Sequence, residues 1–210
     1  MRKYLLAAAA VAMMAPAAHA ITVGQTDTLN VGFAPTPLDA TLNFGGYTGT
    51  GTVSQVDVTY SGEIDSDISL FDISGVSRDL SALTVTTFGY TSSAGNSTFQ
   101  VLGGTGTQTI PGGGSLSLNV TGTNSSSESF TGADVDPYLD PFFIDLDTVT
   151  LLGITGGGDN LLTGQTTQGF GQVTVEYLIE EISPVPLPAA AWMLLIGLGS
   201  LWAFRRRTHA

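Results

Sequence analysis

The sequence predicts an all-β protein. It reads as an antiparallel β-sandwich, jelly-roll-like, with a signal peptide before it and one transmembrane helix after it. Three observations carry that reading. Between residues 21 and 183 apolar and polar residues alternate with period two, the spacing that puts one face of a strand on a core and the other in water. Glycine clusters interrupt the alternation at Gly45-Gly46, Gly103-Gly104, Gly112-Gly113-Gly114 and Gly156-Gly157-Gly158, as turns between short strands do. No part of this body shows a helical period. About nine to ten strands suit a domain of this size.

In chain order, residues 1–20 come first. Arg2 and Lys3 form a basic start, Leu5 to Ala15 an apolar run, and Ala18-His19-Ala20 a small-x-small cleavage site. This is a secretory signal peptide, too short for a stable span, and the mature chain is expected to begin at Ile21. Thr28–Val31 and Ala40–Phe44 are short strand candidates. Val56, Val58 and Tyr60 then alternate with Asp57 and Thr59, and Asp65 and Asp67 fall on the wet side of Ile64 and Ile68. Ile68–Ile73 extends the pattern. Leu83, Val85 and Thr87 alternate with Thr84 and Thr86, which assigns the leucine-bearing face to the core. Thr98–Leu102 follows, and Leu116, Leu118 and Val120 alternate with Ser117 and Asn119. Gly122–Ser129 is the most loop-like polar stretch, and Asp134–Pro141, with two prolines, is a second loop. Phe143–Leu152 is a strand, Gly156–Leu162 a glycine-rich hairpin loop, and Val173, Val175, Tyr177 and Ile179 alternate with Thr174 and Glu176. There is no internal repeat and no linker, so residues 21–183 form one domain.

Composition bounds the chemistry. All 18 acidic residues lie in this body and Arg78 is its one basic residue, a formal charge of −17. Such a surface cannot neutralise phosphates and excludes nucleic-acid binding. There is no cysteine, and His19 and His209 both lie in terminal segments outside the body. Without His, Cys or Lys, the body lacks Ser-His and Cys-His pairs, lysine Schiff bases and ordinary zinc sites. Carboxylates, hydroxyls and one arginine are what remain, and the expectation is a non-enzymatic protein without a required cofactor.

The densest candidate site is Asp134, Asp136, Asp140, Asp145 and Asp147. Ca²⁺ takes six to eight oxygens, which closely spaced aspartates can supply. Here the central glycine and terminal glutamate of an EF-hand loop are missing, and a solvated acidic loop and strand is the simpler reading. Gly156 to Leu162 resembles one imperfect copy of a Ca²⁺-binding nonapeptide, a unit that works only in stacks. Two carboxylates facing one cleft would permit glycan cleavage, and Tyr47, Tyr60, Tyr90 and Tyr138 could line a sugar platform, although core or edge packing is more economical for them.

The C-terminal segment carries the most specific signal. No charge occurs from Ile182 to Phe204. Residues Leu187–Phe204, as a helix, would reach about 27 Å against a hydrocarbon core of about 30 Å. Trp192 and Trp202 sit near its ends, and Arg205-Arg206-Arg207 follows, a cluster that stays on the cytoplasmic side. Pro186 and Pro188 hold the preceding residues extended. Length and charge fit a plain anchor and a processing signal equally well.

The order Val185-Pro186-Leu187-Pro188-Ala189, one span, then an arginine-rich tail resembles a PEP-CTERM sorting signal of the VPLPA variant. It covers residues 184–210. The resemblance implies recognition by an exosortase, an integral-membrane transpeptidase-like enzyme of Gram-negative bacteria, with removal of the tail and delivery to the cell surface or exopolysaccharide. A sortase signal fits worse, because no Thr-Gly follows Leu187-Pro188. A GPI signal fits worse, because it would end in its apolar tail. Phe33-Ala-Pro, Leu42-Asn-Phe, Val56-Asp-Val-Thr-Tyr60 and the Ser/Asp-rich strand after them are similar to the choice-of-anchor E type of exported domain, which implies no catalytic residues.

The expectation is thus an exported surface or extracellular-matrix protein of the biofilm type, held at the inner membrane and then processed. Its partners would be an exosortase, the inner membrane and exopolysaccharide. A carbohydrate-binding or carboxylate-based glycan-cleaving module is one alternative. An unprocessed single-pass membrane protein with a Ca²⁺-stabilised ectodomain is the other.

Overall fold

The structure, a computed structural model, describes residues 19–182 apart from 157 and 159. The expected signal peptide with Ala18, the sorting motif, the span and the arginine tail lie outside the described residues, and so does the side chain of Ala20. The chain divides into one unit of Val23–Ile179 and another of Met1–Thr22 with Glu180–Ala210. Every buried core residue described lies in the first unit.

Nine strands are described: β1 (His19–Pro35), β2 (Asp39–Phe44), β3 (Val53–Asp72), β4 (Arg78–Ser92), β5 (Gly95–Gly104), β6 (Gln108–Ile110), β7 (Ser115–Thr131), β8 (Phe142–Thr155) and β9 (Leu161–Ile182). A 3₁₀ helix, Gly132–Tyr138, is the one helical element among the described residues. The strands form two sheets, with order β1-β9-β3-β7 in one and β2-β8-β4-β5 in the other, β6 pairing with β4. The all-β antiparallel expectation holds. Strand length differs from it: β3 runs 20 residues and β9 22, against a usual five to six. Two short candidates, Val56–Tyr60 and Ile68–Ile73, merge because burial alternates without a break along β3 to Asp72.

Three other expectations are corrected. Gly122–Ser129 is the middle of β7, in register with β3 from Ile64↔Gly122 to Asp57↔Ser129. The backbone ladder fixes this stretch as strand regardless of its loop-like side chains, since every peptide group finds its partner there. The Gly156–Leu162 connection is not a hairpin. It leads from β8 in one sheet to β9 in the other. The expected second loop, Asp134–Pro141, starts inside the 3₁₀ helix, which buries Val135 and Tyr138.

The core lies between the sheets in two parts. One is aromatic, built on Phe44, Tyr60, Phe88, Tyr90, Tyr138, Phe142 and Tyr177. The other is aliphatic, built on Ile68, Leu70, Leu80, Ile110 and Val120. A buried polar layer separates them. Ser66 and Thr167 share a hydrogen bond of 2.7 Å, and the Gln165 amide donates to Ser66, Thr84 and Thr167 at 2.9–3.1 Å. Each hydroxyl is satisfied, so the layer escapes the penalty of a lone buried polar group. In the aromatic part Gly62 and Gly171 face each other across β3 and β9. A Cβ there would meet Phe88 at 2.9 Å or Leu146 at 2.4 Å. Isolated strand glycines mark such close approaches.

Candidate binding face

The outward faces of the two sheets differ in chemistry. On the β2-β8-β4-β5 sheet, Leu83, Leu102, Val149 and Leu151 are 41–67% exposed around Val85. The face expected for β4 is therefore inverted: Thr84 and Thr86 are buried and Leu83 is not. Strand parity is set by the largest side chains. Phe88 and Tyr90 share the parity of Thr84, and their burial takes the threonines inward with them.

The outward face of β1-β9-β3-β7 is polar and ordered in rows. Across β7, β3 and β9 the rows read Ser125–Ser61–Gln172, Thr123–Glu63–Phe170, Thr121–Asp65–Gln168 and Asn119–Asp67–Thr166. Side chains within a row sit about 4.8 Å apart between strands. Asn119 donates to Asp65 at 2.6 Å and to Asp67 at 3.1 Å, which holds both carboxylates in place. Asp65 and Asp67 thus lie on the wet side of β3, as expected.

Two open grooves of about 500 and 570 Å³ lie along β3 on this face. The first is lined by Ser61, Glu63, Thr123, Ser125, Phe170 and Gln172. The second is lined by Asp67, Ser69, Ser117, Asn119, Gln165 and Thr166 among others. Phe33, 47% exposed, lies 5.7 Å from Phe170 between ring centroids, so the first groove has an aromatic wall. Sequence reading named neither phenylalanine as a pair. Their wide separation in the chain hides the contact until β1 and β9 are placed side by side.

The expected site residues lie on two elements and the turn between them. Asp134 and Asp136 are exposed on the 3₁₀ helix, Asp140 is exposed beyond it, and Asp145 and Asp147 point away from the core on β8. Asp145 accepts a hydrogen bond from Thr41 at 2.6 Å. Among the described residues no three His, Cys, Asp or Glu side chains are grouped to hold a metal, and no helix is long and apolar enough to cross a membrane. Of the four tyrosines considered for a sugar platform, Tyr60, Tyr90 and Tyr138 are buried. Tyr90 donates to the Ser61 carbonyl at 2.9 Å, and Tyr177 to the Tyr138 carbonyl at 3.0 Å. Burial pushes the Tyr138 hydroxyl up to about 12 and those of Tyr60, Tyr90 and Tyr177 higher still.

One charged site escaped the sequence. Asp72, at the end of β3, is fully buried. It accepts hydrogen bonds from Ser74 at 2.8 Å and from the Gly113 amide at 3.4 Å, and it faces Arg78 at 3.4 Å. Burial alone would push its carboxyl up. The Ser74 and Gly113 bonds and the Arg78 guanidinium outweigh that and hold it below the usual carboxylate value. The cluster ties the β3–β4 turn to the β6–β7 turn.

No family model matches the chain, and no curated protein matches it. Among solved structures the chain matches infectious bursal disease virus, Gx strain, at 12% identity and TM-score 0.23, over 80% of this chain and 35% of the viral one. It matches the parasporin-2 toxin of Bacillus thuringiensis, described as recognising cancer cells, at 14% identity and TM-score 0.21, over 78% of this chain and 71% of that. It also matches the VP2 subviral particle of infectious bursal disease virus at 14% identity and TM-score 0.17, over 83% and 49%. This chain thus spans 35% of the length of the first viral chain. Likenesses this distant carry no argument about function.

Proposed function

We propose that this chain is an exported, non-enzymatic surface protein of a Gram-negative bacterium, sorted by an exosortase into the extracellular matrix or biofilm. The observation that carries the reading is the order of signals in the sequence: a basic start and small-x-small site at residues 1–20, then Val185-Pro186-Leu187-Pro188-Ala189, an apolar run, and Arg205-Arg206-Arg207. Export of the body and arrest by the arginines give one topology, with residues 21–183 outside the cytoplasm. A passenger role suits the body: its exposed carboxylates are spread over β3, β8 and the 3₁₀ helix, where mutual repulsion and hydration favour solubility. We read the body as a jelly roll, because the orders β1-β9-β3-β7 and β2-β8-β4-β5 interleave consecutive strands between two sheets.

The test is fractionation and intact-mass analysis of the full chain, tagged within an exposed loop of the body and expressed in a host that carries an exosortase. The expected product lacks the tail and is found at the surface. Pro186→Ala with Pro188→Ala should leave protein of unprocessed mass in the inner membrane. A wild-type product that still ends at Ala210 would overturn the sorting.

A further inference from the structure

We propose that the polar face of the β1-β9-β3-β7 sheet binds an extended, uncharged polysaccharide along β3, seated on the Phe33–Phe170 pair at one groove and on the Asp67–Asn119 row at the other. This deepens the matrix reading by naming a site and a ligand class. It rests on that reading for where the polymer is met and on the face alone for the binding.

The chemistry of the first groove matches a sugar ring. A pyranose presents C–H groups on its faces and hydroxyls around its edge. The Phe170 ring, backed by Phe33 at 5.7 Å, offers an apolar surface for the C–H face. Glu63, directly opposite Phe170 in register, accepts from hydroxyls. Gln172 can both donate and accept, and Ser61 and Ser125 complete its row. The volume, about 500 Å³, falls in the range of roughly 300–1,000 Å³ usual for ligand-sized clefts.

A polymer is implied by the repetition of the groove. The second groove lies on the same face of the same three strands, six residues along β3 from the first, or about 20 Å at the rise of an extended strand. Several linked sugars cover that distance and a single sugar does not. Two weak contacts on one ligand then combine, because the second forms at high effective concentration.

The charge selects against acidic polymers. Glu63, Asp65 and Asp67 run down the middle strand of this face, and Arg78, the body's one basic residue, faces Asp72 at the far end of β3. An anionic chain laid along β3 would meet like charge at each step.

Affinity electrophoresis of the full chain in mild detergent tests this, in native gels containing dextran, galactomannan, hydroxyethylcellulose or alginate. At least one neutral polymer should retard the protein and alginate should not. Gln172→Ala and Phe170→Ala should each weaken retardation about tenfold or more, the effect of losing roughly 1.4 kcal/mol of binding. Asn119→Ala should also weaken retardation by that polymer, because Asn119 lines the second groove and holds the Asp65 and Asp67 carboxylates there. No retardation by any neutral polymer overturns the proposal, as does equal retardation by alginate. Unchanged retardation of a normally melting Gln172→Ala protein also overturns it, and that variant guards against misfolding of Phe170→Ala. The assay reads unprocessed protein, so it can fail while sorting succeeds, and the reverse.

Discussion

Asp72 has none of its surface open to solvent, and Ser74, Gly113 and Arg78 converge on it and favour its ionised form. That arrangement sets a pH dependence. Its folded pKa lies below the unfolded value of 3.8, so its contribution is present above that value and is lost as pH falls through the folded pKa. Asp72→Asn should therefore lower the urea midpoint at pH 7, and the gap to wild type should narrow as pH falls below 3.8. A gap of constant size from neutral pH into the acid range would refute the account. The sequence shows the single body arginine, but it cannot show that this arginine is spent on a buried partner six residues earlier. The meeting of the β3–β4 and β6–β7 turns, which brings Ser74 and Gly113 to the same carboxylate, belongs to the fold.

At the scale of the strand, periodicity was legible and the choice of face was not always so. In β3, β7 and β9 the apolar parity is the buried parity, as the alternation of Val56, Leu118 and Val175 implies. In β4 two apolar sets compete: Leu83 and Val85 on one side, and Leu80, Ala82, Phe88 and Tyr90 on the other. A local window around residue 84 sees the first, whereas the whole strand obeys the second, because two aromatic rings bury more apolar area than a leucine and a valine. Leu83→Ser should accordingly change stability by no more than about 0.5 kcal/mol, while Leu80→Ala should cost about 2–5 kcal/mol, both read from denaturant melts. A larger loss at Leu83 would return that side chain to the core. Gly122–Ser129 shows the reverse failure: the side chains read as loop, and the partner strand decides. There the β7 glycine is also needed, since a Cβ at Gly122 would meet the Leu102 carbonyl at 2.3 Å where the edges of the two sheets close.

For the molecule as a whole, a core rich in tyrosine makes alkali the sensitive direction. The folded hydroxyls of Tyr60, Tyr90, Tyr138 and Tyr177 sit above their unfolded value of 10.0. The stability they confer is complete below pH 10 and is lost as pH rises from there through about 12, where Tyr138 ionises. Tyrosinate absorbance should appear together with loss of the β-sheet circular dichroism. Ionisation of these four well before unfolding would show that they are open to solvent. Among the described residues no three carboxylates are grouped to hold an ion, Asp134, Asp136, Asp140, Asp145 and Asp147 included, so EDTA is expected to leave the melting midpoint unchanged. A downward shift would mean that carboxylates gather around an ion in solution.

The sequence by itself determined the class of the fold, the acidity of the body and the set of side chains available for chemistry, because composition and period two are local properties. It also contained the terminal motifs on which the sorting proposal rests. Only the tertiary structure decided which face of β4 is buried, that Gly122–Ser129 pairs as a strand, and that Phe33 meets Phe170 beside Glu63 and Gln172. Each of these depends on residues far apart in the chain lying side by side, and that proximity is set by how the strands interleave between the two sheets, a matter on which local patterning is silent.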